Sequence, residues 1–193
     1  FGQLAYEVMR HVYAMHNEMG RFFDEKIYKK ELTHRMPNVR LEQPVDVSFD
    51  TFHKRYFLDV LVSDGGLFEF KTAESLTPRH RAQLLHYLPL CELRHGKLIN
   101  VRPESVEHEF VNTTLRCVDR VCFSEHAAMW DTGVAAAAAF RERLVSMLRE
   151  WGTGLEIALY EEAMTHFCGG ESRVLADVDV RVGRHSPGQQ RMR

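Results

Sequence analysis

The sequence contains no stretch long and apolar enough to cross a bilayer. Its longest unbroken apolar run, Val134 to Phe140, falls far short of the roughly 20 residues a spanning helix needs. Nor does it open with the basic segment, apolar block and small-residue site of a secretory leader. Its four cysteines (Cys91, Cys117, Cys122 and Cys168) form no C-x-x-C pair, which argues against a zinc knuckle or a thioredoxin-like centre. They read as reduced thiols, and the expectation is a cytoplasmic protein with no membrane association. The 11 histidines include no H-x-x-x-H, so a helix-borne zinc pair is missing as well. Neither sign of charge dominates: 25 Lys and Arg stand against 27 Asp and Glu, a net charge of −2. Any nucleic-acid partner must therefore be held by a local patch rather than by a globally basic surface. What remains is an ordinary globular composition, with 193 residues sufficing for one domain and part of a second.

Apolar residues at Leu4, Val8, Val12, Met15 and Met19 form one stripe of a helix that Gly20 breaks. A second helix is expected from about Phe22 to His34, with Phe23, Ile27 and Leu32 as its buried side. It stops at Met36-Pro37, because a residue before proline avoids the helical region. The period then changes to two. Val39, Leu41, Gln43, Val45, Val47 and Phe49 alternate with polar residues, which predicts a strand with one wet face. Pro44 marks an edge or a bulge within it. Tyr56 to Val62 reads as a central strand, Ser63-Asp64-Gly65-Gly66 as a turn and Leu67 to Lys71 as the return strand. Thr77-Pro78 starts a helix through Leu84, Leu85 and Leu88, and Lys97 to Val101 supplies a further strand. A weak strand is expected near Arg116 to Phe123, and Asp131-Thr132 is the expected cap of a helix ending at Trp151.

Chemistry concentrates on the hairpin. Asp59 sits in an apolar strand, where an unpaired carboxylate costs several kcal/mol. Across the turn stand Glu69 and Lys71 on one strand face, with Phe70 on the other. Two carboxylates and an ammonium in a small volume suit Mg²⁺ or Mn²⁺ and a polarised phosphate. The same pattern fits a cross-strand salt bridge. Register decides whether the acids can meet. If Val62 faces Leu67, Asp59 and Glu69 lie on opposite faces; if Leu61 faces Leu67, they share one. The second register is expected, with Gly65 and Gly66 supplying a positive φ. Arg79, His80 and Arg81 open the following helix and could hold phosphates.

Asp59, Glu69-x-Lys71 and Gln83-x-x-x-Tyr87, in this order on these elements, resemble the PD-(D/E)XK nuclease superfamily. Within it, the phrases Tyr56-Phe57-Leu58-Asp59, Phe68-Glu69-Phe70-Lys71 and Ala82-Gln83-Leu84-Leu85-His86-Tyr87 are similar to the GxxExxY proteins. Glu25-x-x-Tyr28 matches the naming motif, with Phe22 in place of its glycine. The resemblance implies a restriction-endonuclease-like α/β core: helix, three-stranded antiparallel meander, helix, strand. It implies Asp59, Glu69 and the Phe70 carbonyl as ligands of Mg²⁺ (or Mn²⁺), and Lys71 as the catalytic lysine. Glu25 and Gln83 would support the chemistry, while Arg79, Arg81 and Tyr87 would contact DNA or RNA.

The second helix has an echo 132 residues later. Gly20 aligns with Gly152, Tyr28 with Tyr160, Thr33 with Thr165 and His34 with His166. In this second segment Gly154 and Tyr160 fit the naming motif, while Ile157 holds the glutamate position. The expected organisation is a nuclease-like domain over 1–125, a connecting helix over 126–151 and a truncated second copy over 152–193. A metal-dependent nuclease is the leading functional reading, and a silent nuclease-fold binding module the alternative.

Overall fold

The computed structural model describes residues 1–63, 65–126 and 135–192. Helix α1 (Gly2–Met19) buries Ala5, Val8, Met9, Val12 and Met15, the stripe its spacing dictates. It ends where Gly20, at φ 79°, donates its N–H to the His16 carbonyl, a left-handed conformation in which glycine has no Cβ penalty. Helix α2 (Glu25–Arg35) stops immediately before Met36-Pro37. Leu32 is buried as expected, but its buried companions are Tyr28 and Lys29, whereas Phe23 and Ile27 are exposed. Hydropathy missed this because a lysine faces inward.

Five strands form one sheet in the order β1-β2-β3-β4-β5. β1 (Val39–Phe49), β2 (Phe52–Val62) and β3 (Gly66–Lys71) make an antiparallel meander. Helix α3 (Pro78–Leu90) then crosses over to β4 (His95–Asn100), which runs parallel to β3, and β5 (Glu107–Asn112) closes the edge. The start of α3 is fixed by Thr77, whose hydroxyl accepts from the His80 amide while its own amide donates to His80 Nδ1. The strand expected near Arg116 to Phe123 is absent. β5 precedes it, and Cys117–Val121 is a short helix, α4, whose N-terminus is tied by Arg116 and Asp119.

In the β2–β3 hairpin Leu61 pairs with Leu67, the register that lets Asp59 and Glu69 share a side. Among the described turn residues the positive φ falls on Ser63 rather than on Gly65 or Gly66. β1 keeps the expected alternation of sheltered and exposed residues, yet its sheltered side does not stay within one core. Leu41 packs against the core beneath α1 and α2, but Val45 and Val47 pack on the opposite side of the sheet. On β2 the same switch separates Leu58 from Val60. The ladder partners Leu41–Val60 and Gln43–Leu58 bracket Glu42 and Asp59, and Glu42 has φ 48°. A non-glycine residue at positive φ inside a strand re-aims the chain locally, and here it does so beside the acids.

Beyond the sheet, α5 (Ala135–Trp151), α6 (Ile157–Phe167) and the connection between them pack Met147, Leu155, Leu159 and Met164 onto Val47 and Phe52. Trp151 Nε1 donates to the Ser48 carbonyl, and the Glu156 amide donates to His86 Nδ1. The cap expected at Asp131-Thr132 lies outside the described residues. A short helix, α7 (Glu171–Val174), leads to a separate exposed hairpin of β6 (Ala176–Val182) and β7 (His185–Met192).

Candidate active site

Asp59 lies where the β2–β3 ladder opens. The paired residues end at Val60 and Phe68, and the next link is a side chain: Asp59 Oδ2 accepts from the Phe70 amide at 2.8 Å. A carboxylate thus replaces a backbone carbonyl in the sheet, which fixes its orientation at the end of β2 where its neighbours Leu58, Val60, Leu61 and Val62 are all apolar. Asp59 is 7% exposed and Glu69 only 2%. Glu69 Oε1 accepts from Lys71 Nζ at 2.7 Å, while Glu69 Oε2 is buried without a hydrogen-bond partner.

Two further residues belong here that sequence reasoning missed. Lys29, on α2 and 7% exposed, donates from Nζ to Asp59 Oδ1 and to Glu42 Oε1 at 2.6 Å. The same ammonium stands 3.2 Å from Glu25 Oε1, one helical turn earlier. The structure therefore gathers Glu25, Glu42, Asp59 and Glu69 around Lys29 and Lys71. The signal available for Lys29 was the contrast between its charge and its place beside Tyr28 and Leu32 on one helix flank. Glu42 gave no comparable signal in an alternating strand.

The electrostatics follow from burial and crowding. Glu69 is pushed up to about 7, first by burial, then by the Asp59 charge, against the pull of Lys71. Glu25 is raised for the same two reasons. Burial draws Lys71 downward, but the charge and hydrogen bond of Glu69 outweigh it, so Lys71 is held as an ammonium. Lys29 is likewise raised, its bonds to Asp59 and Glu42 overcoming burial. The pH dependence has a definite sign. A carboxyl whose folded pKa is about 7, against 4.5 ordinarily, keeps a proton that the unfolded chain releases between those values. The metal-free protein should therefore lose stability as pH rises from about 4.5 to about 7, relative to Glu69→Gln. Thermal melts of the two proteins across that window check this; curves that stay parallel would contradict it.

The remaining sequence-predicted residues are divided. Gln83 Nε2 donates to Tyr87 Oη at 3.3 Å, and the Glu69, Lys71 and Asp59 charges all act on the buried Tyr87 phenol. Both residues thus face the cluster. Arg81 is tied to Glu109 by an ion pair, and Arg79 is exposed on the first turn of α3, so the structure does not bring these two into the acidic cluster. The Phe70 backbone lies in the β3–β4 ladder, opposite Ile99. A cleft of about 620 Å³ bordered by Val45, Arg94, Arg120 and Trp151 shares no residue with the cluster.

A five-stranded mixed sheet with helices on both faces, carrying buried acids and a lysine on its central hairpin, defines a restriction-endonuclease-like fold. The profile of the PD-(D/E)XK nuclease superfamily matches residues 2–112, and the chain belongs to that superfamily. No curated protein matches the chain. Among solved structures, that of SSO0001 is similar at 21% identity and a TM-score of 0.38, covering 47% of this chain and 50% of its own. The match thus spans half of that protein's length.

PD-(D/E)XK nucleases generally use divalent metals. Among the described residues no three His, Cys, Asp or Glu side chains form a ready metal cage, and Lys29 Nζ stands among three of the four carboxylates. The donor set still suits a hard cation. It offers carboxylate oxygens only, in excess over the two ammonium groups, and Glu69 Oε2 is a buried oxygen lacking a partner.

Proposed function

We propose that this protein is a metal-dependent nuclease of the GxxExxY group that hydrolyses phosphodiester bonds in DNA or RNA. The single observation that carries the reading is the Asp59–Glu69–Lys71 constellation, with Asp59 fixed by the Phe70 amide and Glu69 holding Lys71 beside an unpartnered oxygen. Asp59, Glu69 and the Phe70 carbonyl would hold Mg²⁺ or Mn²⁺. When bound, the metal neutralises the acids and polarises a phosphate oxygen. Lys71, held charged, serves as a donor that stabilises negative charge developing on the phosphate, not as a proton acceptor. Gln83 and Tyr87 line the site from α3, and Glu25 approaches it from α2. Arg79, on the first turn of α3, supplies local positive charge for the substrate strand, and Arg81 adds to it on release from its ion pair with Glu109. The four cysteines are free thiols, which favours a reducing, cytoplasmic setting. No described helix is long and apolar enough to cross a membrane.

The second reading, a silent nuclease-fold binding module, draws on one observation: Lys29 is bonded to Asp59. Hydrolysis separates the two. Incubation with single-stranded DNA, duplex DNA and RNA should give Mg²⁺-dependent cleavage of at least one polymer, abolished by EDTA. Binding without cleavage would select the silent module.

The domain arrangement that best accounts for the C-terminal part is a partial second copy over 152–193, after the helix that connects it to residues 1–125. Gly20 and Gly152 share a positive φ of 79° and 77°. Tyr28 Oη donates to the Gly20 carbonyl at 2.7 Å, and Tyr160 Oη to the Gly152 carbonyl at 2.5 Å. Helices α2 and α6 are each 11 residues long, and each is followed by an antiparallel hairpin.

A further inference from the structure

We propose that Lys29 is a resident counter-cation of the acidic site, and that a divalent metal engages Asp59 only by displacing its ammonium. The proposal rests on the metal-dependent reading above and concerns how that site is held when no metal is bound. Lys29 Nζ occupies Asp59 Oδ1 and also contacts Glu42 Oε1 at 2.6 Å and Glu25 Oε1 at 3.2 Å. The other Asp59 oxygen is committed to the Phe70 amide. A dication on Oδ1 would therefore face a positive charge on the same atom, in a buried site where screening by water is weak.

The arrangement is built rather than incidental. Glu25 and Lys29 stand one turn apart in the favourable order, with the acid nearer the helix N-terminus. Glu42 meets the same ammonium from a strand position at φ 48°, a backbone conformation that costs free energy for a non-glycine residue. Four carboxylates would repel one another without compensation, and Lys29 relieves three of them at once. Its four-carbon stem also gives it somewhere to go. Glu42, with 56% of its side chain exposed, is a partner on the solvent side to which the ammonium can hold after leaving Asp59. Lys29 thus stabilises the metal-free fold and weakens metal binding in the same act.

Calorimetric titration with Mn²⁺, together with thermal melts with and without it, on wild type, Lys29→Met and Lys29→Gln tests this. The expected result is Mn²⁺ binding tighter by about tenfold or more in the variants, the scale of one competing charge removed from a poorly screened site. Their metal-free melting temperatures should fall by about 5 °C or more, and Mn²⁺ should restore them further than it raises wild type. Lys29→Gln keeps a hydrogen-bond donor and is the variant to read if Lys29→Met does not fold. Folded variants that bind Mn²⁺ no more tightly than wild type overturn the proposal and leave the metal site standing. Absence of Mn²⁺ binding in all three proteins overturns the proposal through the metal reading itself, a result distinct from the first.

Discussion

Asp59→Ala should lower metal-dependent cleavage by about a thousandfold or more, the scale seen when a group that organises transition-state charge is removed. Two losses combine. The variant removes one of the two carboxylates that would hold the metal, and it strips the Phe70 amide of its acceptor inside the sheet. The second loss alone costs about 1–3 kcal/mol, because a buried donor without a partner retains its full desolvation penalty. Lys29 meanwhile keeps Glu42 and Glu25, so it is not left as an isolated buried charge. The fold should survive with a lowered melting temperature. Asp59→Asn separates the effects, since its side-chain oxygen can still accept from Phe70 while the charge is gone. Cleavage should fall nearly as far in Asn as in Ala, with the Phe70 share of the stability kept and the Lys29 share lost, because the amide NH2 then faces the ammonium. Cleavage kinetics beside melting curves check both halves; an Asn variant as active as wild type would remove Asp59 from the chemistry.

Much of this site was legible because the hairpin obeys simple geometry. The expected pairing of Leu61 with Leu67 is present, although the positive φ proposed for Gly65 and Gly66 sits on Ser63 and the ladder ends at Val60 and Phe68, one pair before the two acids. The α1 stripe, the stop before Pro37 and the Thr77-Pro78 start were legible for equally local reasons.

What escaped was non-local. Phe23 and Ile27 read as the buried side of α2, whereas the fold buries Lys29 there because three carboxylates from α2, β1 and β2 converge on it. No pattern within the helix encodes partners supplied by two later strands. Likewise β1 carries an uninterrupted alternation, yet the strand changes faces at Glu42, whose positive φ nothing in its residue type announces. The segment near Arg116 to Phe123 has apolar residues spaced for a strand. It forms α4 because Asp119 bonds the Arg116 amide and side chain at the helix start, and Arg120 turns inward to the Thr153 and Trp151 carbonyls.

Lys71→Ala isolates the central claim, that a charged lysine acts on substrate at a metal-holding acidic pair. Lys71 pairs with Asn100 through its backbone, which alanine preserves, and its side chain contacts Glu69, so its removal leaves Asp59, the Phe70 amide and the hydrophobic core in place. Glu69 loses its ammonium partner and with it the pull that holds its carboxyl down, so the comparison is made well above pH 7, where the ionised carboxylate is more available to a cation rather than less. Lys71→Ala should therefore remain folded and bind Mn²⁺ at least as tightly as wild type, while cleavage falls by about a hundredfold to a thousandfold. The decisive measurement is the cleavage rate of wild type and Lys71→Ala, side by side at saturating Mg²⁺, on single-stranded DNA, duplex DNA and RNA. Wild type should cut at least one of them, and Lys71→Ala should bind metal while cutting about a hundredfold to a thousandfold more slowly. Cleavage by Lys71→Ala at the wild-type rate, or no cleavage of any polymer by wild type, would contradict it.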